Sequence, residues 1–184
     1  MIKNWLLLLG VLITLILSGC STTNSIPYKV STANVISIQQ TLQSQGKKVS
    51  IGNIVTAAGV DEHLMCRMMG EVKVAPGKTL PQYVKDAFQE ELFAAQVYDP
   101  NAPTIINGKI TALSFSSVSP ANWIIEMEVS SSASPGYTVS IKYHYNTSWD
   151  AYAACKNVAD AFGPAVQELL KQVVNHPQFA LLAK

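Results

Sequence analysis

Residues 123–146 read WIIEMEVSSSASPGYTVSIKYHYN, and they carry the most regular two-residue repeat of apolar side chains in this chain. In each half of the segment every second side chain is large and apolar: Trp123, Ile125, Met127 and Val129, then Tyr137, Val139, Ile141, Tyr143 and Tyr145. Because successive side chains of a strand point to opposite faces, each half predicts a strand with one buried face. The polar turn over residues 132–136 predicts that the two strands form an antiparallel hairpin.

A further strand is expected just before this hairpin, over about residues 104–116, and the polar turn at residues 119–122 joins the two. Its pattern is less regular, since Asn107-Gly108 lies early while Leu113 and Phe115 lie late. We expect a β-bulge between these positions. The three strands would then form an antiparallel meander.

The first third of the chain gives weaker patterns. Residues 34–45 predict a short helix closed by Gly46, although Val35–Ile38 also fits a strand. Alternation over residues 48–55 predicts a strand, and a second one is expected from about Met65 to Val74.

Two longer helices follow from spacing and capping. Thr79 with Gln82 fits a capping box, so a helix should start here and end before the turn at residues 99–103. The last helix is expected from about Asp150 to Val174, with a kink or a break near Phe162 because of Pro164. The order of elements predicts an α+β fold, a two-layer sandwich in which a mostly antiparallel sheet carries helices on one face.

The N-terminus has the features of an export signal. Its apolar run, Trp5–Leu17, is thirteen residues long, which is short of the roughly 20 needed to span a bilayer but typical of a signal sequence. A permanent membrane anchor is the alternative. The tetrapeptide Leu17-Ser18-Gly19-Cys20 resembles the lipobox of bacterial lipoproteins, which implies cleavage before Cys20 and acylation, for example with palmitate, at its thiol.

This resemblance divides the chain into three parts. Residues 1–19 would be the signal peptide, residues 20–30 a lipidated flexible tether, and residues 31–184 a single periplasmic domain. Ser21 stands where an aspartate would favour the inner membrane of a proteobacterium, so the resemblance implies anchoring in the outer membrane. Cleavage removes Lys3 and leaves twelve Lys and Arg against twelve Asp and Glu, a balance that predicts no nucleic-acid partner.

Two cysteines remain in the mature chain, Cys66 and Cys155. We expect them to form a disulfide, because the periplasm oxidises paired thiols. Two separate buried thiols are the alternative, since a sequence does not show whether two Cα atoms come within bonding range.

The sequence lacks the motifs of hydrolases, phosphate loops and dinucleotide sites, so we expect no enzyme and no cofactor. His63 and Cys66 have a spacing that metal ligands can use, but two ligands do not make a site and a disulfide would remove the sulfur. His144 fits a solvated strand position, and His176 fits a helix end. No metal site is predicted.

Two other groups of side chains have more than one interpretation. Glu126 and Glu128 share one face of a strand, where they are more simply surface charges than an acid–base pair. The tyrosines of residues 137–145 could line a ligand groove, but the Val139 and Ile141 between them favour a core.

Several segments look like those of small uncharacterised proteobacterial envelope lipoproteins: Pro76-Gly77-Lys78-Thr79, the strand over residues 104–117, and Ala154-Cys155. The order of elements is also similar to that of YajG-type and curli-secretion (CsgG N-terminal) lipoproteins. Neither resemblance supplies a catalytic residue, and a fold does not by itself give a function.

The sequence therefore favours a non-catalytic, lipid-anchored protein that binds or scaffolds another cell-envelope component, with a protein partner expected beside the membrane. The alternative is a periplasmic carrier or sensor of a small or lipidic ligand. An apolar cavity lined by Trp123, Tyr143 or Tyr145 would favour the carrier, and an exposed apolar patch would favour the scaffold.

Overall fold

A computed structural model of the chain describes residues 22–23 and 26–184. Three helices pack against one face of a four-stranded, mostly antiparallel sheet, which confirms the predicted α+β class. The helices are α1 (Thr32–Thr41), α2 (Leu80–Ala94) and α3 (Ala151–Val174), with 3₁₀ turns at Gln43–Gln45 and Phe179–Ala183. The strands are β1 (Thr22–Thr23), β2 (Ser50–Thr56), β3 (Val72–Lys73), β4 (Ile105–Ser116), β5 (Asn122–Ser131) and β6 (Ser134–His144).

The order of the large sheet is β2-β4-β5-β6, and β1 pairs with β3 in a separate two-stranded ribbon. Strands β4, β5 and β6 form the predicted antiparallel meander, and its register shifts between Ile110 and Ala112, where a bulge was expected. Strand β2 runs parallel to β4 at the edge.

The hairpin of β5 and β6 has the predicted faces and a tighter turn. Its core-facing positions pair directly across the strands: Trp123 with Tyr143, Ile125 with Ile141, Met127 with Val139, and Val129 with Tyr137. Strand β6 begins at Ser134, inside the predicted turn of residues 132–136, because Ser131 pairs with Ser134. At Gly136 the backbone is left-handed (φ 86°), and a Cβ would lie 1.7 Å from the Val129 carbonyl oxygen, so the turn requires glycine.

The prediction of a strand from Met65 to Val74 is wrong for most of these residues. Residues 65–71 form a tight turn instead, in which Met65 bridges to Glu71 and the Cys66 backbone N–H donates to the Gly70 carbonyl at 3.0 Å. Arg67 and Met68 have left-handed backbones (φ 45° and 57°), which a strand cannot contain. Only Val72–Lys73 remains extended as β3.

The helices begin close to where the sequence places them. Helix α1 replaces the strand alternative, with Ser31 as its cap, and α2 starts with the expected capping box of Thr79 and Gln82. Helix α3 runs from Ala151 to Val174 with Pro164 inside it, so of the expected kink or break the break is wrong. Proline costs a helix about 3 kcal/mol. Each buried side chain of the α3 stripe contributes about 1.5–3 kcal/mol, and the stripe continues on both sides of the proline: Val158, Phe162, Val166, Leu169 and Val173.

The core lies between the helices and the sheet, with Trp123 at its centre. The indole is fully buried, contacts the rings of Phe115 and Phe162, and donates its Nε1–H to the Val158 carbonyl at 2.9 Å. The opposite face of the sheet is mainly polar: Lys109 pairs with Glu128 and Thr111 donates to Glu126. The helices therefore occupy one side of the sheet, as the α+β class requires.

The predicted signal peptide (residues 1–19) and Cys20 lie outside the described residues. Residues 26–30 contact the domain, although they belong to the stretch expected to be a tether: Tyr28 donates to Glu91 at 2.6 Å, and Gln167 donates to the Lys29 carbonyl. Among the described residues, no helix has the length and apolar character to cross a membrane.

Candidate functional site

Cys66 and Cys155 form a disulfide, as predicted, with their Cα atoms 5.8 Å apart and a sequence separation of 89. The bond joins the turn of residues 65–71 to the first turns of α3. Both cysteines are fully buried, and the bond removes the Cys66 sulfur from the ligands considered beside His63.

Arg67, next to this disulfide, holds three loops together at one end of the domain. Its Nε–H donates to Ser117 Oγ at 3.0 Å, and its Nη1 donates to the carbonyls of Ser148 and Trp149 at 3.2 and 3.3 Å. Its Nη2 donates to the Ser117 carbonyl. The guanidinium thus fixes the turn of residues 65–71 against the loops that precede β5 and α3.

The same three loops and the first turn of α3 expose large apolar side chains to solvent. Trp149 and Met68 are essentially fully exposed (101% and 98%), and more than half of each of the other three side chains is exposed: Met65, Val118 and Tyr152. Arg67, Val118 and Trp149 also line an open cleft of about 380 Å³. We call these five apolar residues, Met65, Met68, Val118, Trp149 and Tyr152, the apolar end surface.

A second unusual group is a buried carboxylate, Glu91, on the inner face of α2. Its Oε1 accepts hydrogen bonds from Tyr28 (2.6 Å), Asn34 Nδ2 (3.0 Å) and the Ser31 backbone N–H (3.3 Å). Among the described residues, neither its Oε2 nor Asn34 Oδ1 has a hydrogen-bond partner. Burial raises the pKa of Glu91, although these hydrogen bonds oppose the shift, and burial together with the Glu91 charge raises the pKa of Tyr28.

Glu91 holds the segment of residues 26–31 onto α1 and α2 and is closed off from solvent. A carboxyl that no substrate can reach is a structural group rather than an acid–base catalyst. The sequence places this glutamate among the apolar positions of α2. A charged residue at an apolar position was the available sign that its side chain is buried.

The structure does not bring the three histidines into a common site. His63 is exposed, its Nδ1 lies 2.7 Å from Glu71 Oε1, and this contact raises its pKa. His144 is exposed on β6, whereas His176 stacks on the Tyr137 ring with 3.9 Å between centroids. Among residues 26–184, no three His, Cys, Asp or Glu side chains lie close enough to hold a metal ion.

Tyr137, Tyr143 and Tyr145 pack on the core, which confirms the core interpretation of that stripe. Tyr137 donates to the Val173 carbonyl at 2.7 Å, and Tyr145 donates to the Ser116 carbonyl at 2.9 Å. Burial raises the pKa of Tyr145 to about 12. These hydroxyls therefore bind the meander to α3 and to the end of β4 and do not line a ligand groove.

No protein-family model and no curated protein matches this sequence. Solved structures share a similar arrangement at low identity. A Xanthomonas campestris protein of family DUF330 is 11% identical, covers 70% of this chain and 84% of its own, and gives a TM-score of 0.46. The PelC dodecamer of Paraburkholderia phytofirmans is 9% identical, covers 75% and 89%, and gives a TM-score of 0.43. The likeness to YajG-type and curli-secretion lipoproteins stays a prediction.

Proposed function

We propose that this chain is a non-catalytic, lipid-anchored envelope protein that binds another cell-envelope component through its apolar end surface. Cys20 would hold the protein on a membrane, with the outer membrane favoured by Ser21, and the domain would lie in the periplasm. A protein partner or the membrane itself could be the bound component.

The apolar end surface is the observation that carries this proposal. Exposed apolar clusters mark interaction sites, because leaving large aromatic and Met side chains in water costs free energy that an unpartnered surface does not recover. Arg67 fixes the backbone of the three loops, so the cluster is held in place before it binds. A preorganised surface loses less conformational entropy on binding than a mobile one.

The carrier alternative has less support. Trp123 is fully buried in contact with Phe115 and Phe162, and the hydroxyls of Tyr137 and Tyr145 donate to backbone carbonyls. The side chains expected to line an apolar cavity are therefore part of the packed core.

The anchor is tested by labelling cells with palmitate. Cys20→Ser should abolish incorporation of label, because no thiol remains for the thioether bond. The double variant Cys66→Ser/Cys155→Ser is the matched control and should still be labelled. Equal labelling of Cys20→Ser and wild type would contradict the lipoprotein assignment.

The binding surface is tested by photocrosslinking in intact cells, followed by mass spectrometry. A photoreactive residue in place of Val118 should give a discrete crosslinked product with an envelope component. The same residue in place of Lys142, which is exposed on β6, is the control and should not give this product. Absence of any product from position 118 would contradict a role for the apolar end surface.

A further inference from the structure

We propose that the apolar end surface lies in the head-group region of the membrane that holds Cys20. This inference rests on the lipid anchor of the proposed function and names the bilayer as the component that this surface contacts.

The direction in which the chain enters the domain is the first step. Strand β1 runs parallel to β3, with Thr22 opposite Val72 and Thr23 opposite Lys73. The chain therefore enters β1 from the side on which β3 is preceded by the turn of residues 65–71. Cys20 lies two residues before Thr22, so the covalent chain limits their separation to about 7 Å.

The course of the following segment supports the same orientation. Residues 26–29 lie beside α3, and the Lys29 carbonyl accepts a hydrogen bond from Gln167 in the second half of that helix. The disulfide at Cys155 joins the turn of residues 65–71 to the first half of α3. The N-terminal entry and the apolar end surface therefore lie at the same end of α3.

The residue types at this end suit a membrane interface. Trp149 and Tyr152 have amphipathic rings, which favour the head-group level of a bilayer. Met68 and Val118 supply flexible or compact apolar contacts beside them. Transfer of these side chains from water into the interface would recover the free energy of their exposure.

The charges at this end are the Arg67 guanidinium and the Asp150 carboxylate, which accepts from the Ala153 backbone N–H at the start of α3. Arg67 donates to carbonyl and hydroxyl oxygens only, and among the described residues no carboxylate lies within 4.0 Å of its guanidinium. Nearby Glu71 is paired with His63 and Lys73. A cation without a carboxylate partner beside an apolar cluster complements phosphate head groups.

A protein partner could also cover an apolar cluster, but the position of the anchor favours the bilayer. Acyl chains attached within about 7 Å of Thr22 would keep this end of the domain next to the lipid continuously. A separate protein would have to displace the lipid from this surface.

Tryptophan fluorescence provides the test, because the three tryptophans of the chain differ in position. Trp5 lies in the predicted signal peptide, Trp123 is fully buried, and Trp149 is fully exposed. The processed protein would be purified from membranes and reconstituted into phosphatidylethanolamine–phosphatidylglycerol vesicles with and without brominated phosphatidylcholine. Trp149→Phe, prepared in parallel, gives by difference the emission that belongs to Trp149.

We expect Trp149 emission to shift to shorter wavelength on reconstitution and to lose intensity with brominated lipid, while Trp149→Phe shows neither change. Palmitate labelling of the same preparation separates the two proposals. A labelled protein whose Trp149 remains open to aqueous iodide and insensitive to brominated lipid would overturn this inference and leave the anchor intact. An unlabelled protein would overturn the proposed anchor and this inference with it.

Discussion

At the scale of single residues, Glu91 and Trp149 each occupy the environment that their side chains usually avoid. The Glu91 carboxylate is fully buried, and the Trp149 indole is fully exposed. Three hydrogen-bond donors around Glu91 Oε1 compensate part of the cost of burying a charge, and the rest appears as the raised pKa. No such compensation exists for Trp149 in water, which is why we infer a function for it.

Glu91→Gln should change how stability depends on pH. Because the pKa of Glu91 is raised above the 4.5 of the unfolded chain, the folded state holds the proton more tightly. The contribution of the protonated Glu91 carboxyl to the free energy of unfolding is fully present below about pH 4.5. It is lost as the pH rises through the raised pKa. Each unit of such a shift corresponds to about 1.4 kcal/mol. The variant should therefore gain stability relative to wild type between pH 4 and pH 8, as measured by urea unfolding.

Glu90→Gln is the matched control, since Glu90 is the exposed neighbour on the same helix. It removes a carboxylate from the surface of α2 and leaves the buried one in place, so the effect of Glu91→Gln is read relative to it. A constant difference between Glu91→Gln and wild type across this range would show that the Glu91 carboxyl is not desolvated as described.

At the scale of elements, the disulfide joins a turn to a helix that lies far from it in the sequence. The turn of residues 65–71 contains two non-glycine left-handed residues, Arg67 and Met68, and each such conformation costs about 1–3 kcal/mol. The bond to Cys155 and the hydrogen bonds of Arg67 hold this strained turn in place. The apolar end surface depends on both constraints, since Met65 and Met68 belong to the turn.

Cys155→Ala should lower the thermal midpoint and leave a free thiol at Cys66. Removal of a native disulfide from a small secreted domain typically costs about 2–5 kcal/mol, and the long loop closed here places the chain-entropy contribution near the upper end of that range. Calorimetry measures the loss, with Cys66→Ala as the paired variant of equal expected effect. If unreduced wild-type protein, once denatured, already titrates two thiols at these positions, the disulfide does not form in the cell.

At the scale of the whole molecule, packing leaves only certain surfaces available for function. The helices cover one face of the sheet, ion pairs and hydroxyl contacts occupy the other, and the apolar end surface lies at the end where the N-terminal segment enters. Among the described residues, His63 lies beside Glu71, His176 stacks on the Tyr137 ring and His144 is exposed, so the three histidines do not share a site.

Alanine at His63, His144 or His176 should therefore leave the cellular role intact. Each variant would be scored for protein level first and then for rescue of the phenotype of a deletion strain. His176→Ala should lower stability by about 0.5–1.5 kcal/mol through loss of its stacking on Tyr137, so His176→Phe is the control that keeps a ring there. A normal amount of His63→Ala protein that fails to rescue would instead place a site at His63 and Glu71.

The sequence by itself determined the features that depend on neighbouring residues along the chain. Alternating apolar side chains set β5 and β6, the capping box at Thr79 set the start of α2, and the fold class followed from the order of these elements. Such patterns can be recognised in the sequence because the pleat of a strand and the first turn of a helix involve only a few consecutive residues.

Only the tertiary structure decided which distant segments meet. The parallel pairing of β2 with β4, the survival of α3 through Pro164, and the environment of Glu91 all depend on packing between segments far apart in sequence. Arg67 is the sharpest example, since its partner carbonyl at Ser148 lies 81 residues away and no local pattern encodes that contact. The apolar end surface exists because three loops converge on this one guanidinium, and convergence is a property of the folded chain.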